Sequence, residues 1–100
     1  MSQADTDTKT EISVKEPPQY RIVYLNDEKT TAEFVTTSLI DFFNYTVKAA
    51  EEMTQTIHEH GAATVAVLPY ELAEQKGIEI TLVARKEGFP LQIKIEPEVV

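Results

Sequence analysis

One hundred residues are enough for one compact domain, which at this size buries roughly two thirds of its unfolded surface. Seventeen acidic against nine basic residues give a formal charge of −8, which speaks against a nucleic-acid footprint and for solubility or a cationic partner. With no cysteine in the chain, disulfides, a thiolate nucleophile and thiolate zinc sites are excluded, and a reducing compartment is the expected setting.

The chain opens on M-S-Q-A-D-T-D-T-K-T, without the basic head and apolar stretch of a secretory leader, and no later run is apolar for long enough to span a bilayer. A cytoplasmic protein with no membrane partner is expected. Residues 1–17 are rich in Asp, Thr, Lys and Glu, with Ile12 and Val14 as the sizeable apolar groups after Met1, too few to offset ordering entropy. They are read as a flexible arm, and residues 18–100 as the folded domain. Pro17 and Pro18 mark the boundary because neither can donate to a β-ladder.

Tyr20, Ile22 and Tyr24 alternate with Arg21 and Val23 in a half-buried strand, which breaks at Asn26, Asp27 and Glu28. A helix follows. Thr30 and Glu33 have the spacing of a capping box, and Val35, Leu39 and Phe42, widened by Phe34 and Phe43, form its apolar face as far as Asn44 and Tyr45. A second helix carries Val47, Ala50, Thr54 and Ile57 on one side and Lys48, Glu51, Glu52 and Gln55 on the other, until Gly61 stops it. The short link makes the two a hairpin packed on one face of a sheet.

Ala62 to Leu68 is the next strand, apolar enough on both sides for a central position. Ala63, Val65 and Val67 are expected on one face, with Pro69 opening a third helix. Between residues 70 and 88, Ile78, Ile80 and Leu82 alternate as in a strand, but the length of the segment favours a helix that Gly88 and Pro90 end. Leu91, Ile93 and Ile95 then alternate with Gln92, Lys94 and Glu96 in a last strand closed by Pro97. The class is α+β: a three-stranded antiparallel sheet with three helices, in the order β-α-α-β-α-β.

The candidate polar groups are Asn26, Asp27 and His58. Each has a plain structural reading: Asn and Asp are turn formers that bond their own backbone, and a histidine late in a helix can serve its C-terminal carbonyls. A metal site is disfavoured because His58 and His60, two apart on a helix, diverge. Acid–base chemistry through Asp27 or Glu28 with His58 is conceivable, but the chain carries no nucleophile elbow, phosphate loop or zinc-protease motif. Neither an enzyme nor a cofactor is expected.

P-P-x-Y-x-x-x-x-L-N-D, then T-x-x-F-V, F-F, I-H-x-x-G, L-A-E-Q-K and P-L resemble ClpS, the adaptor of the Clp protease, without a gap from about Pro17 to Ile95. The resemblance implies a small, monomeric α/β sandwich that is not an enzyme. It binds substrates bearing a destabilising, bulky hydrophobic N-terminal residue and delivers them to a ClpA- or ClpC-type unfoldase. It also implies roles for particular residues. Asn26, Asp27 and His58 would hold the α-amine of the N-degron and Thr30 its backbone, while Ala32, Val35, Thr54, Ile57 and Leu91 would wall an apolar pocket. Core packing is the plain alternative for that last group. Glu71 and Lys76 would face the unfoldase's N-terminal domain, although both also suit a solvated helix face. In such adaptors the arm is needed for delivery rather than docking. A ClpS-like module that tunes the unfoldase without reading N-termini is the rival function, and a small hydrolase using His58 is a third.

Two positions depart from the pattern. Ala32 and Thr54 stand where relatives can carry Met, so a wider pocket mouth is expected, with β-branched first residues less strongly excluded. Glu28 replaces the usual Asp and keeps its charge.

Overall fold

The structure, a computed structural model, describes residues 17–99, so the proposed arm lies outside the described residues except for Pro17. The elements run β1 (Gln19–Leu25), α1 (Ala32–Phe43), α2 (Val47–His60), β2 (Ala62–Pro69), α3 (Tyr70–Lys86) and β3 (Gln92–Pro97). This is the expected order, and the sheet is antiparallel throughout.

The strand order is β2-β1-β3, so β1 and not β2 is central. The apolar character of β2 misled because it comes from a β-bulge. Ala66 lies opposite Ile22 but Thr64 lies opposite Val23, which leaves Val65 as the extra residue. Beyond the bulge the alternation inverts. Ala66 and Leu68 join Ala63 and Val65 against the core, and Val67 faces solvent rather than sharing their side. The Tyr45 hydroxyl donates to the Val65 carbonyl at 2.7 Å, giving a partner to a backbone group beside the break in the ladder.

Ile22 and Tyr24 are wholly buried on the helix side of β1, with Leu39, Ile80 and Leu91 the other largest buried side chains. Ser38 ties this face to α1. Its hydroxyl donates to the Val35 carbonyl at 2.8 Å, so the Tyr24 hydroxyl, 2.8 Å away, donates to Ser38 in turn. Burial pushes the Tyr24 hydroxyl far above the ordinary tyrosine range, so it stays a neutral donor.

The helix ends follow their sequence signals with one shift. α1 is capped by Thr31, whose hydroxyl accepts from the Phe34 amide at 3.1 Å, not by Thr30 with Glu33. Asp27 engages Thr30 through both its amide and its hydroxyl, which removes it from capping. Thr46 caps α2 by accepting from the Ala49 amide at 3.1 Å. Gly61 ends α2 at φ 85°, a left-handed conformation that costs little without a Cβ.

α3 lies on the sheet through a row of small residues, with Ala73, Gly77 and Ala84 buried beside Ile80. A Cβ at Gly77 would stand 3.3 Å from Ile95 Cδ1 and 3.9 Å from Ile93 Cγ2, so glycine is what lets the helix lie this close. Alanine there asks Ile95 to yield by a few tenths of an ångström, whereas a branched side chain has nowhere to go. Gly77→Val is therefore expected to lower unfolding stability by about 1–3 kcal/mol in urea titration, and an unchanged midpoint would contradict the close approach.

Candidate functional site

Where β1 ends, the Asn26 amide donates to the Gly61 carbonyl at 2.9 Å. That bond fastens the end of the first strand to the end of α2. It brings His58, one turn before Gly61, to the same corner as Asn26 and Asp27. Asp27 then folds the corner: its Oδ1 accepts from the amides of Lys29 and Thr30, and its Oδ2 from the Thr30 hydroxyl, each at 2.7 Å.

From this corner an open cavity of about 480 Å³ runs between the start of α1 and the end of α2. Asn26, Asp27, Glu28, Thr30 and His58 give it a polar end, and Ala32, Val35, Thr54 and Ile57 give it a largely apolar flank, with Gln55 at the side. Thr54 donates to the Ala50 carbonyl at 2.7 Å and therefore accepts from Thr36 across the two helices at 2.8 Å. The helices that form the walls are thereby pinned together.

Eight of the nine residues named for amine, backbone and pocket contacts line this one space. Leu91 does not: it is buried, 1% exposed, and belongs to the core. Gln55 lines the cavity although the sequence set it on the polar face of α2. Its spacing to His58, three residues on, was the available signal, since such residues share a helix face. Glu71 and Lys76 lie on α3, exposed and half-buried, and neither lines the cavity.

The electrostatics of the polar end are anionic, with Asp27 and Glu28 lining it and no Lys or Arg among the lining residues. Removal from water is the largest single influence on the Asp27 carboxyl and raises it. The hydrogen bonds from Thr30 and Lys29, helped by the positive field of Arg85, outweigh it and hold the group below the usual carboxylate range. Among the described residues, no hydrogen bond engages the side-chain carboxamide of Asn26 or the His58 ring, so both remain available. The described residues hold no cluster of three His, Asp or Glu suited to a metal ion, and no helix among them is long and apolar enough to cross a membrane.

Acceptors converging at one end of a cavity with an apolar flank make a receptor for a cationic head carrying an apolar group. A small α+β scaffold that offers such a receptor is a binding protein by its architecture. The known proteins agree. The family described as "ATP-dependent Clp protease adaptor protein ClpS" matches residues 15–94. A ClpS 2 adapter of Rhodopseudomonas palustris is 40% identical over 89% of this chain and 82% of its own length. A ClpS adapter of Treponema denticola is 37% identical over 81% of this chain and 80% of its own. The solved structure of Agrobacterium tumefaciens ClpS2 bound to L-phenylalaninamide superposes with a TM-score of 0.79 at 36% identity, covering 83% of this chain and all of that one. The chain belongs to the ClpS family of Clp protease adaptors, and its three helices on a three-stranded antiparallel sheet are the fold of that neighbour.

The Asp27 bonds carry a prediction of their own. A carboxyl whose folded pKa is depressed contributes stability that is present above its unfolded value, about 3.9, and is lost as the pH falls through the folded value. Asp27→Ala is expected to lower stability by about 1–2 kcal/mol at neutral pH, with the gap to the parent closing below about pH 4. A gap that persists unchanged at low pH would show that the carboxylate is not its source.

Proposed function

We propose that this adaptor reads the N-terminal residue of its substrates at the corner cavity, and that it hands those substrates to a ClpA- or ClpC-type unfoldase of the Clp protease. What carries the reading is the pairing of an anionic, hydrogen-bond-accepting end with an apolar flank in a single open space. The ligand in the Agrobacterium neighbour, L-phenylalaninamide, has the matching chemistry of a free α-amine and an apolar ring. No bond of the substrate is broken here; the role is recognition.

An α-ammonium group offers several N–H donors and a positive charge, which an internal peptide bond lacks. The Asn26 amide oxygen, the Asp27 carboxylate and an unprotonated His58 nitrogen are its acceptors. Asp27 suits this task doubly, since the bonds that fold the corner also keep its carboxylate ionised. The Thr30 hydroxyl donates its hydrogen bond to Asp27, which leaves its oxygen lone pairs to accept from the substrate backbone. The first side chain enters between Ala32 and Val35 on α1 and Thr54 and Ile57 on α2. The unfoldase docks through Glu71 and Lys76, which stand apart from the cavity and leave it free for substrate.

Acetylating the α-amine of a peptide that begins with Phe or Leu removes the charge and most donors. Titration should show affinity falling at least ~100-fold, or about 3 kcal/mol. Equal binding of free and acetylated peptides would instead identify a module that does not read N-termini.

The small side chain at Ala32, exposed at the cavity mouth, sets how wide a first residue may be. Ala32→Met is expected to raise the preference for N-terminal Leu over N-terminal Ile by roughly 10-fold, the scale on which a packed pocket senses an added methylene. A ratio unaltered by the substitution would remove Ala32 from the specificity argument.

A further inference from the structure

The two hydroxyls that pin α1 to α2 have a use beyond holding the walls. Ala32 and His58 line the corner end of the cavity, and Thr36 and Thr54 stand four residues further from the corner on the same two helices. That is about one turn, or about 6 Å, along each helix. The Thr36–Thr54 contact spans the gap between the helices at 2.8 Å, and Thr54 lines the cavity that occupies this gap. The pair therefore closes the space at the end away from the amine acceptors. We propose that it reads the tip of the first side chain, its oxygens accepting a hydrogen bond from a tyrosine hydroxyl. This rests on the N-terminal recognition proposed above and makes tyrosine a preferred first residue for this chain.

The bonding of the pair leaves acceptors and no donor. The Thr54 hydroxyl donates to the Ala50 carbonyl at 2.7 Å, so its oxygen accepts from the Thr36 hydroxyl. A hydroxyl has one hydrogen and two lone pairs. Both hydrogens are thus committed, while one lone pair of Thr54 and both of Thr36 are engaged by no hydrogen bond among the described residues. An apolar flank that ends on acceptors alone fits a side chain that is apolar along its length and carries a donor at its tip. Tyrosine has that form, and one turn of helix is close to its reach from α-carbon to hydroxyl.

Phenylalanine fills the same space without the donor. Its ring strips water from the two oxygens and replaces it with nothing, and a site that bonds a substrate hydroxyl discriminates against the analogue lacking it for this reason. Val35 and Ile57 bring no polar side-chain atom to the flank. Gln55, at the side, is exposed, with its amide nitrogen donating to Glu59 at 2.9 Å, so a ligand hydroxyl there exchanges one solvated partner for another. Selectivity for the hydroxyl therefore falls to the threonine pair.

Calorimetric titration of the full chain with peptides that differ only in the first residue tests this. A Tyr-start peptide should bind roughly fivefold tighter than its Phe-start counterpart, the worth of one net neutral hydrogen bond. An O-methyltyrosine start, which has no hydrogen to donate, should lose that advantage. Thr54→Val keeps the shape of the wall and removes the oxygen, so the Tyr-to-Phe affinity ratio should fall to about one, and Thr54→Ser should restore it. A residue that only braces the helices would, when changed, weaken both peptides alike and leave the ratio as in the parent. Should Thr54→Val melt well below the parent, the O-methyltyrosine comparison decides on the unaltered protein. Equal affinity for Tyr and Phe starts, both lost on acetylation, would overturn hydroxyl recognition alone. An acetylated Tyr-start peptide that binds as well as the free one would overturn the amine recognition beneath it.

Discussion

The hydrogen bond from the Asn26 amide to the Gly61 carbonyl holds the functional end of the molecule together. It extends the β1–β2 ladder by one step beyond the Leu25–Ala62 pair, at the point where both strands give way to loops. Gly61 can serve there because its left-handed conformation reverses the chain from α2 directly into β2, with its own amide donating back to the Ile57 carbonyl at 2.9 Å. One residue thus ends a helix, starts a strand and fixes the corner opposite. His58 reaches Asn26 and Asp27 only because this junction sets the last turn of α2 against the end of β1.

Around that junction the polar groups divide the work of structure and recognition unevenly. Asp27 does both: three hydrogen bonds fold the loop, and the same bonds favour the charged form that a cationic ligand requires. Asn26 contributes its backbone to the fold and keeps its side chain for the cavity. His58 contributes to the cavity alone. The walls are held by a separate device, the Thr36–Thr54 contact between α1 and α2, so the polar end and the apolar flank can vary independently. Ala32 lines the same space and takes part in neither set of side-chain bonds.

The third helix has a different logic. Its buried side is made of small residues that let it lie close to the sheet, and this leaves Ile78, Leu82 and Val83 on exposed faces. That distribution explains why the segment from 70 to 88 mixes strand-like and helix-like periodicity in sequence. The apolar residues do not trace one buried stripe, because close packing there depends on the absence of side chains rather than on their size.

Much of the fold could be read from local chemistry. The alternation of Ile22 and Tyr24, the stripe of Val35 and Leu39, the stop at Gly61 and the alternation of Ile93 and Ile95 each report a period or a backbone requirement that neighbouring residues impose, and the element order followed from them. The motifs around Asn26, Asp27 and His58 carried the family in the same way. Tertiary structure decided the rest. Val65 is a bulge only because of its register against β1, so its inversion of the β2 pattern, and with it the edge position of that strand, left no mark in composition. Thr31 rather than Thr30 caps α1 because Asp27 competes for Thr30 through space. Leu91 lies in the core and Gln55 at the cavity because those places depend on how α2, α1 and β3 come together. Periodicity is set by bonds along the chain, whereas register, competition for donors and the lining of a cavity are set by contacts between residues distant in sequence.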